Sequence, residues 1–291
     1  MGVLSGVFNR GLCADFLAEL TTGSSASMIH VCRQAGLDVR LRDDYLNAYA
    51  AGRSVARLVW RRGVQLEVHR KYVQVDAFPG VPRVARGDYD VFTVTPLLIA
   101  QFADQLVQIR RASDAHVRVE ELSEERLLRD NVGAGPLVCV DRQVGVPGTR
   151  SYVDVVGVLE GDPPSLILVE LKRDLDKRIQ EVPAQVARYL EIFSPAACGL
   201  RADVATSFAR VSSQLRLLGF AAPAPHAFVE GMPVLGLVVL VRYNPRSALL
   251  GRAHALATGL PQPVWLWIAA DDQQLQVPHR VEWRRMGAGG Q

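Results

Sequence analysis

The chain has 291 residues, 49% of them hydrophobic, and a formal net charge of +3. This suits a globular protein of one large or two modest domains, and the charge is too small to indicate a nucleic-acid partner on its own. The longest apolar run, Val234 to Val241, has the length of a strand, so no membrane span is expected. Cys13, Cys32, Cys139 and Cys198 show no CxxC spacing and no nearby histidine at ligand spacing. That pattern argues against zinc and against a disulfide framework, and for a reducing cytoplasm.

Residues 13–35 read as helical pieces around the turn-forming Thr22-Gly-Ser-Ser25. From Leu37 the pattern becomes β-like, with strands over Leu37–Arg42, Arg53–Trp60 and Val64–Val73, the last two joined at Arg61-Arg62-Gly63. Residues 96–111 form an amphipathic helix. The polar stretch at 112–122 is a domain boundary, which gives an N-terminal mixed, β-rich accessory domain over 1–118. Its most distinctive element is the strand carrying Arg53, Arg57 and Arg61, which alternation places on one face. Beside Trp60 and Tyr72 such a face would suit a phosphate backbone. Asp43, Asp44 and Glu67 offset it and leave an ordinary solvated sheet face as the competing reading.

The second domain spans 119–284, and the Gly-rich 285–291 follows as a flexible tail. Ser123 is placed as the N-cap of a helix beginning Glu124-Glu125. Strands follow at Leu137–Val144, Arg150–Val158 and Leu166–Lys172, and then a helix at Pro183–Phe193 with Pro in its first turn. A helical insertion at 200–218 precedes a strand at Val234–Arg242, a helix at Arg246–Thr258 and a strand at Val264–Ala269. The order is α-β-β-β-α-β, then α-β, an α/β (α+β) class.

Alternate residues of a strand share a face, so Glu170 and Lys172 project together above Leu166 and Leu168. The turn Leu159-Glu-Gly-Asp-Pro-Pro-Ser165, centred near Asp162, makes Asp154 and Glu170 cross-strand neighbours, roughly 5 Å apart at Cβ. Two carboxylates that close repel unless a cation lies between them. Mg²⁺ or Mn²⁺ suits hard oxygen donors and would assist hydrolysis of a phosphodiester. Lys172 would orient or deprotonate the attacking water, or bind the phosphate. Lysine occurs only at Lys71, Lys172 and Lys177, which marks Lys172 as a place where a compact ammonium serves and a guanidinium does not.

Tyr152-Val-Asp154-Val-Val-Gly157 and Ile167-Leu-Val-Glu170-Leu-Lys172 resemble the PD-(D/E)xK nuclease superfamily, with Val153 standing where the family name has proline. The resemblance covers about residues 120–270 and implies the restriction-endonuclease-like αβββαβ core. Gln185-Val-Ala-Arg-Tyr189 is similar to the Gln-x-x-x-Tyr motif of the RecB-like branch, which gives Gln185 and Tyr189 catalytic roles. The same resemblance implies the Leu171 carbonyl as a metal ligand and a third carboxylate from the preceding helix. Glu124 is favoured there, with Glu121 and Glu125 as competitors. The implied function is Mg²⁺-dependent cleavage of DNA, with RNA and a homodimer both left open. The role would lie in restriction, repair or defence. The alternative is a catalytically idle member of the fold that binds nucleic acid or assembles a complex.

Overall fold

The computed structural model describes residues 8–74, 76–131, 136–173, 176–194, 199–271 and 274–287. It is a mixed α/β protein with two six-stranded sheets. Two compact units divide the chain: one holds Arg10–Leu122 and Ser213–Ala221, the other Ser123–Ser212 and Ala222 onward together with the N-terminal residues through Asn9. Phe8 accordingly packs with Phe193 and Phe208 of the second unit. Among the described residues no helix is long and apolar enough to cross a membrane.

The first unit opens with helices α1 (Ala14–Thr21) and α2 (Ala26–Gln34), then strands β1 (Asp38–Leu41), β2 (Tyr45–Ala50), β3 (Arg53–Trp60) and β4 (Val64–His69). Strands β5 (Val84–Arg86) and β6 (Tyr89–Thr93) and helix α3 (Pro96–Asp114) follow. The sheet order is β1-β2-β3-β4-β6-β5. Thr95 caps α3 by accepting from the Leu98 N–H, ahead of Pro96 at the first turn. The strand expected to reach Val73 stops at His69. There its ring Nδ1 accepts the Lys71 N–H and a short 3₁₀ turn replaces the ladder.

The shared face expected for Arg53, Arg57 and Arg61 does not form. The β2–β3 register runs Asn47↔Arg57 and Ala48↔Ala56, then jumps to Tyr49↔Ser54. One extra residue opposite Tyr49 is a β-bulge, and it resets the alternation. Ser54 thus joins the side of Arg57, with its hydroxyl on Asn47 Oδ1 at 2.7 Å. Arg53 turns the other way, to Glu121 at 2.8 Å and the His116 carbonyl at 2.6 Å. The Arg57 guanidinium lies 4.3 Å from the Tyr89 ring centroid and 5.6 Å from that of Tyr45. Arg61, in the turn and exposed, faces Glu67 at 3.6 Å.

The second sheet contains β7 (Leu137–Gly145), β8 (Tyr152–Leu159), β9 (Ser165–Arg173), β10 (Val234–Val241), β11 (Val264–Ala269) and β12 (Arg284–Arg285). They lie in the order β12-β11-β10-β9-β8-β7. The first three pair antiparallel, and β9, β10 and β11 pair parallel. Helices α4 (Val119–Asp130), α5 (Val182–Phe193), α6 (Ala202–Leu217) and α7 (Ala248–Ala257) complete the chain. Ser123 is not the cap of α4 but a buried position inside it, because the helix starts a turn earlier at Val119. Two positions expected in the flexible tail are part of the fold: Arg285 pairs with Trp265 and Met286 is buried. Residues 288–291 lie outside the described residues, as does Cys198.

Strand β9 is buried along nearly its whole length, as a central strand covered on both faces must be. Leu166 and Leu168 join Val186, Tyr189 and Phe193 of α5 in one core. Ile167, Val169 and Leu171 join Leu127 and Leu128 of α4 in the other. The β8–β9 register, Val155↔Val169 through Leu159↔Ser165, is the one centred on Asp162. Glu170 and Lys172 therefore extend the Leu166/Leu168 row at the end of the strand.

Candidate active site

A hydrogen-bonded cluster lies at this strand end. Glu170 is 3% exposed. Its Oε1 accepts from Lys172 Nζ at 2.8 Å and from Gln185 Nε2 at 2.9 Å, whereas its buried Oε2 meets no hydrogen-bond donor. Asp154 Oδ2 accepts the Leu171 N–H at 2.8 Å and lies 3.9 Å from Lys172 Nζ. The Lys172 ammonium also donates to the Leu171 carbonyl at 2.9 Å. One cation thus lies against an oxygen of three of the four groups that the sequence proposes as metal ligands.

Gln185 sits in the first turn of α5, so its amide points back to the end of β9. It also donates to the Tyr189 hydroxyl one helical turn on, and that hydroxyl donates to the Tyr152 carbonyl at 3.0 Å. Tyr189 is 1% exposed, and burial, with the Glu170 charge behind it, pushes its phenol up to about 12. The Tyr189 proton thus has its acceptor inside the fold. Tyr189 also holds Gln185.

Of the competing glutamates, Glu124 is linked to this cluster through Gln143. Its Oε2 accepts from Arg142 at 2.7 Å and its Oε1 from Gln143 at 3.0 Å, and the same Gln143 amide reaches Asp154 Oδ1 at 3.3 Å. Glu121 is taken by Arg53 and the Arg118 N–H.

Burial first, then the nearby Asp154 charge, raises Glu170 to about 8 against the pull of Lys172. Burial raises Glu124 to about 7, with Arg142 opposing and Asp154 reinforcing. Raised acids of this kind concentrate where a site is built for chemistry or for a cation.

Arg142 and Gln143 were not legible as site residues. The only visible signal was Asp141-Arg-Gln143 breaking an otherwise apolar strand. Arg53, Arg57 and Arg61 belong to the other unit. Among the described residues no group of three or more His, Cys, Asp or Glu side chains is gathered so as to hold a metal ion. No family model, curated protein or solved structure matches the chain. Its chemistry rests on the residues themselves.

Proposed function

We propose that the chain is a metal-dependent nuclease of the PD-(D/E)xK type that hydrolyses phosphodiester bonds in DNA. The observation that carries this reading is the partnerless, buried Oε2 of Glu170 beside Asp154. A buried carboxylate oxygen without a donor is costly unless a cation satisfies it. The order α4-β7-β8-β9-α5-(α6)-β10 supports the restriction-endonuclease-like assignment.

The donors fit the ion. Asp154, Glu170 and the Leu171 carbonyl are hard oxygens, and Mg²⁺ is ordinarily held by one or two carboxylates rather than by a full protein cage. When bound, Mg²⁺ or Mn²⁺ would supply Lewis-acid stabilisation at the scissile phosphate. The Leu171 N–H fixes the Asp154 carboxylate, and Gln185, steadied by Tyr189, fixes that of Glu170. Lys172, on its flexible stem, would take up a proton from the attacking water as the neutral amine, or neutralise the phosphate as the ammonium. Arg57 and Arg61 are the remaining candidates for backbone contacts on the first unit. A reducing, cytoplasmic setting accords with Cys13 and Cys32 as free thiols, the latter raised by burial to about 12.

The test is cleavage of duplex and single-stranded DNA, with RNA in parallel, by purified protein. Mg²⁺ or Mn²⁺ should support turnover, while Ca²⁺ should support binding alone. Lys172→Ala should abolish cleavage with an unchanged circular dichroism spectrum. Equal cleavage in EDTA, or full activity in the variant, refutes the assignment. A second reading is favoured by the close Lys172–Glu170 pair at 2.8 Å. In it the cluster is a closed ion-pair network in an idle nucleic-acid-binding or assembly subunit, and divalent ions neither bind nor stabilise it.

A further inference from the structure

Gln143 has φ +48° inside β7, a left-handed backbone that costs a non-glycine residue about 1 kcal/mol or more. Its neighbours pair Arg142↔Val155 and Val144↔Val153, so Gln143 lies across from Asp154. Consecutive strand residues ordinarily point to opposite faces. Here Arg142 and Gln143 both reach the Glu124 carboxylate, at 2.7 and 3.0 Å, and the left-handed turn at Gln143 is what brings the second side chain round. Its amide nitrogen carries two hydrogens, enough for Glu124 Oε1 and Asp154 Oδ1 at once. Glu124, 4% exposed, then has one donor on each oxygen: an arginine that is itself 1% exposed, and Gln143.

We infer that Gln143 is a positioning residue linking Glu124 to Asp154, so that Glu124 acts on the candidate metal centre through Gln143 and not as a ligand. This rests on the reading of Asp154 and Glu170 as the ion's carboxylates, and it departs from the expectation that Glu124 binds the ion. A neutral amide is suited to the task. It bridges two like charges without adding a third charge, and it orients the carboxylate of Asp154. The strained backbone is retained because glycine, which accepts this φ freely, carries no side chain to make the bridge.

The experiment is calorimetric titration of Mn²⁺ into the metal-free full chain, with no substrate and no turnover. Asp154→Asn should abolish binding. Gln143→Met, close in size and lacking the amide, should weaken Mn²⁺ binding roughly tenfold, the usual effect of removing a partner that orients a ligand. Glu124→Gln should weaken it by a similar factor. The double variant should be no weaker than the poorer single variant, because the two residues act in series. Gln143→Gly, which relieves the backbone strain, should bind as Gln143→Met does and replaces it if that variant does not fold.

Factors that multiply in the double variant would make Glu124 an independent ligand and overturn the inference, as would unchanged affinity in both Gln143 variants. Either result, with Asp154→Asn still abolishing binding, leaves the proposed centre standing. Wild-type affinity in Asp154→Asn, or no Mn²⁺ binding by the native chain, overturns the centre and this inference together.

Discussion

If Glu170 is held for a cation, the metal-free protein should be more stable without its charge. The carboxyl is raised from 4.5 to about 8 in the fold. Between those values the folded state binds more protons than the unfolded state, so stability falls as pH rises through that window and levels off above it. The whole shift sets an upper limit of a few kcal/mol. Glu170→Gln can keep an amide oxygen in place of Oε1 for Lys172 and Gln185 and put its NH₂ where Oε2 has no partner. In EDTA at pH 8 we expect a gain of roughly 1–2 kcal/mol, or about 3–8 °C in a unit of this size. The gain should shrink towards pH 5. Differential scanning calorimetry at several pH values measures it. Mn²⁺ at about 100 times its Kd should then stabilise the native chain by about 2.7 kcal/mol and leave the variant nearly unmoved. A variant that melts below the native chain at every pH would show that Glu170 serves its ion pair with Lys172, and the argument for a cation would fail.

Tyr189→Phe should lower the cleavage rate about tenfold or more by releasing Gln185, and lower stability by about 1 kcal/mol for the lost bond to the Tyr152 carbonyl. Single-turnover kinetics and thermal melts separate the two effects. Gly236→Ala would place a Cβ 2.3 Å from Val186 Cγ1 on α5; overpacking of this kind should cost about 1–3 kcal/mol in a denaturant titration. Ser in place of both Arg57 and Arg61 should flatten the salt dependence of duplex-DNA affinity by about 0.9 log-log units per lost phosphate contact. Arg53→Ser, which removes an internal ion pair, should leave that slope unchanged.

Local chemistry carried much of the second unit. The Gly- and Pro-rich turn around Asp162 and a two-residue period suffice to set the β8–β9 register, and with it the places of Asp154, Glu170 and Lys172 along their strands. Thr95-Pro96 and the apolar stripe behind it likewise announce α3. In the first unit β2, β5 and β6 went unread. The Tyr45, Asn47, Tyr49 alternation of β2 is polar on one side and relies on small Ala48 and Ala50 on the other, which weakens the strand signal. What no periodicity contains are the departures from it. The bulge opposite Tyr49 sends Arg53 away from Arg57, and the left-handed Gln143 brings two adjacent side chains to one carboxylate. The separation of Glu124 from Glu121 was also tertiary, since the two share a helix and differ in what lies across from them. Hydrophobic period and turn residues act over a few positions and can be counted along the chain. The partner of a buried charge is set by whichever distant strand the packed sheet brings within 3 Å of it.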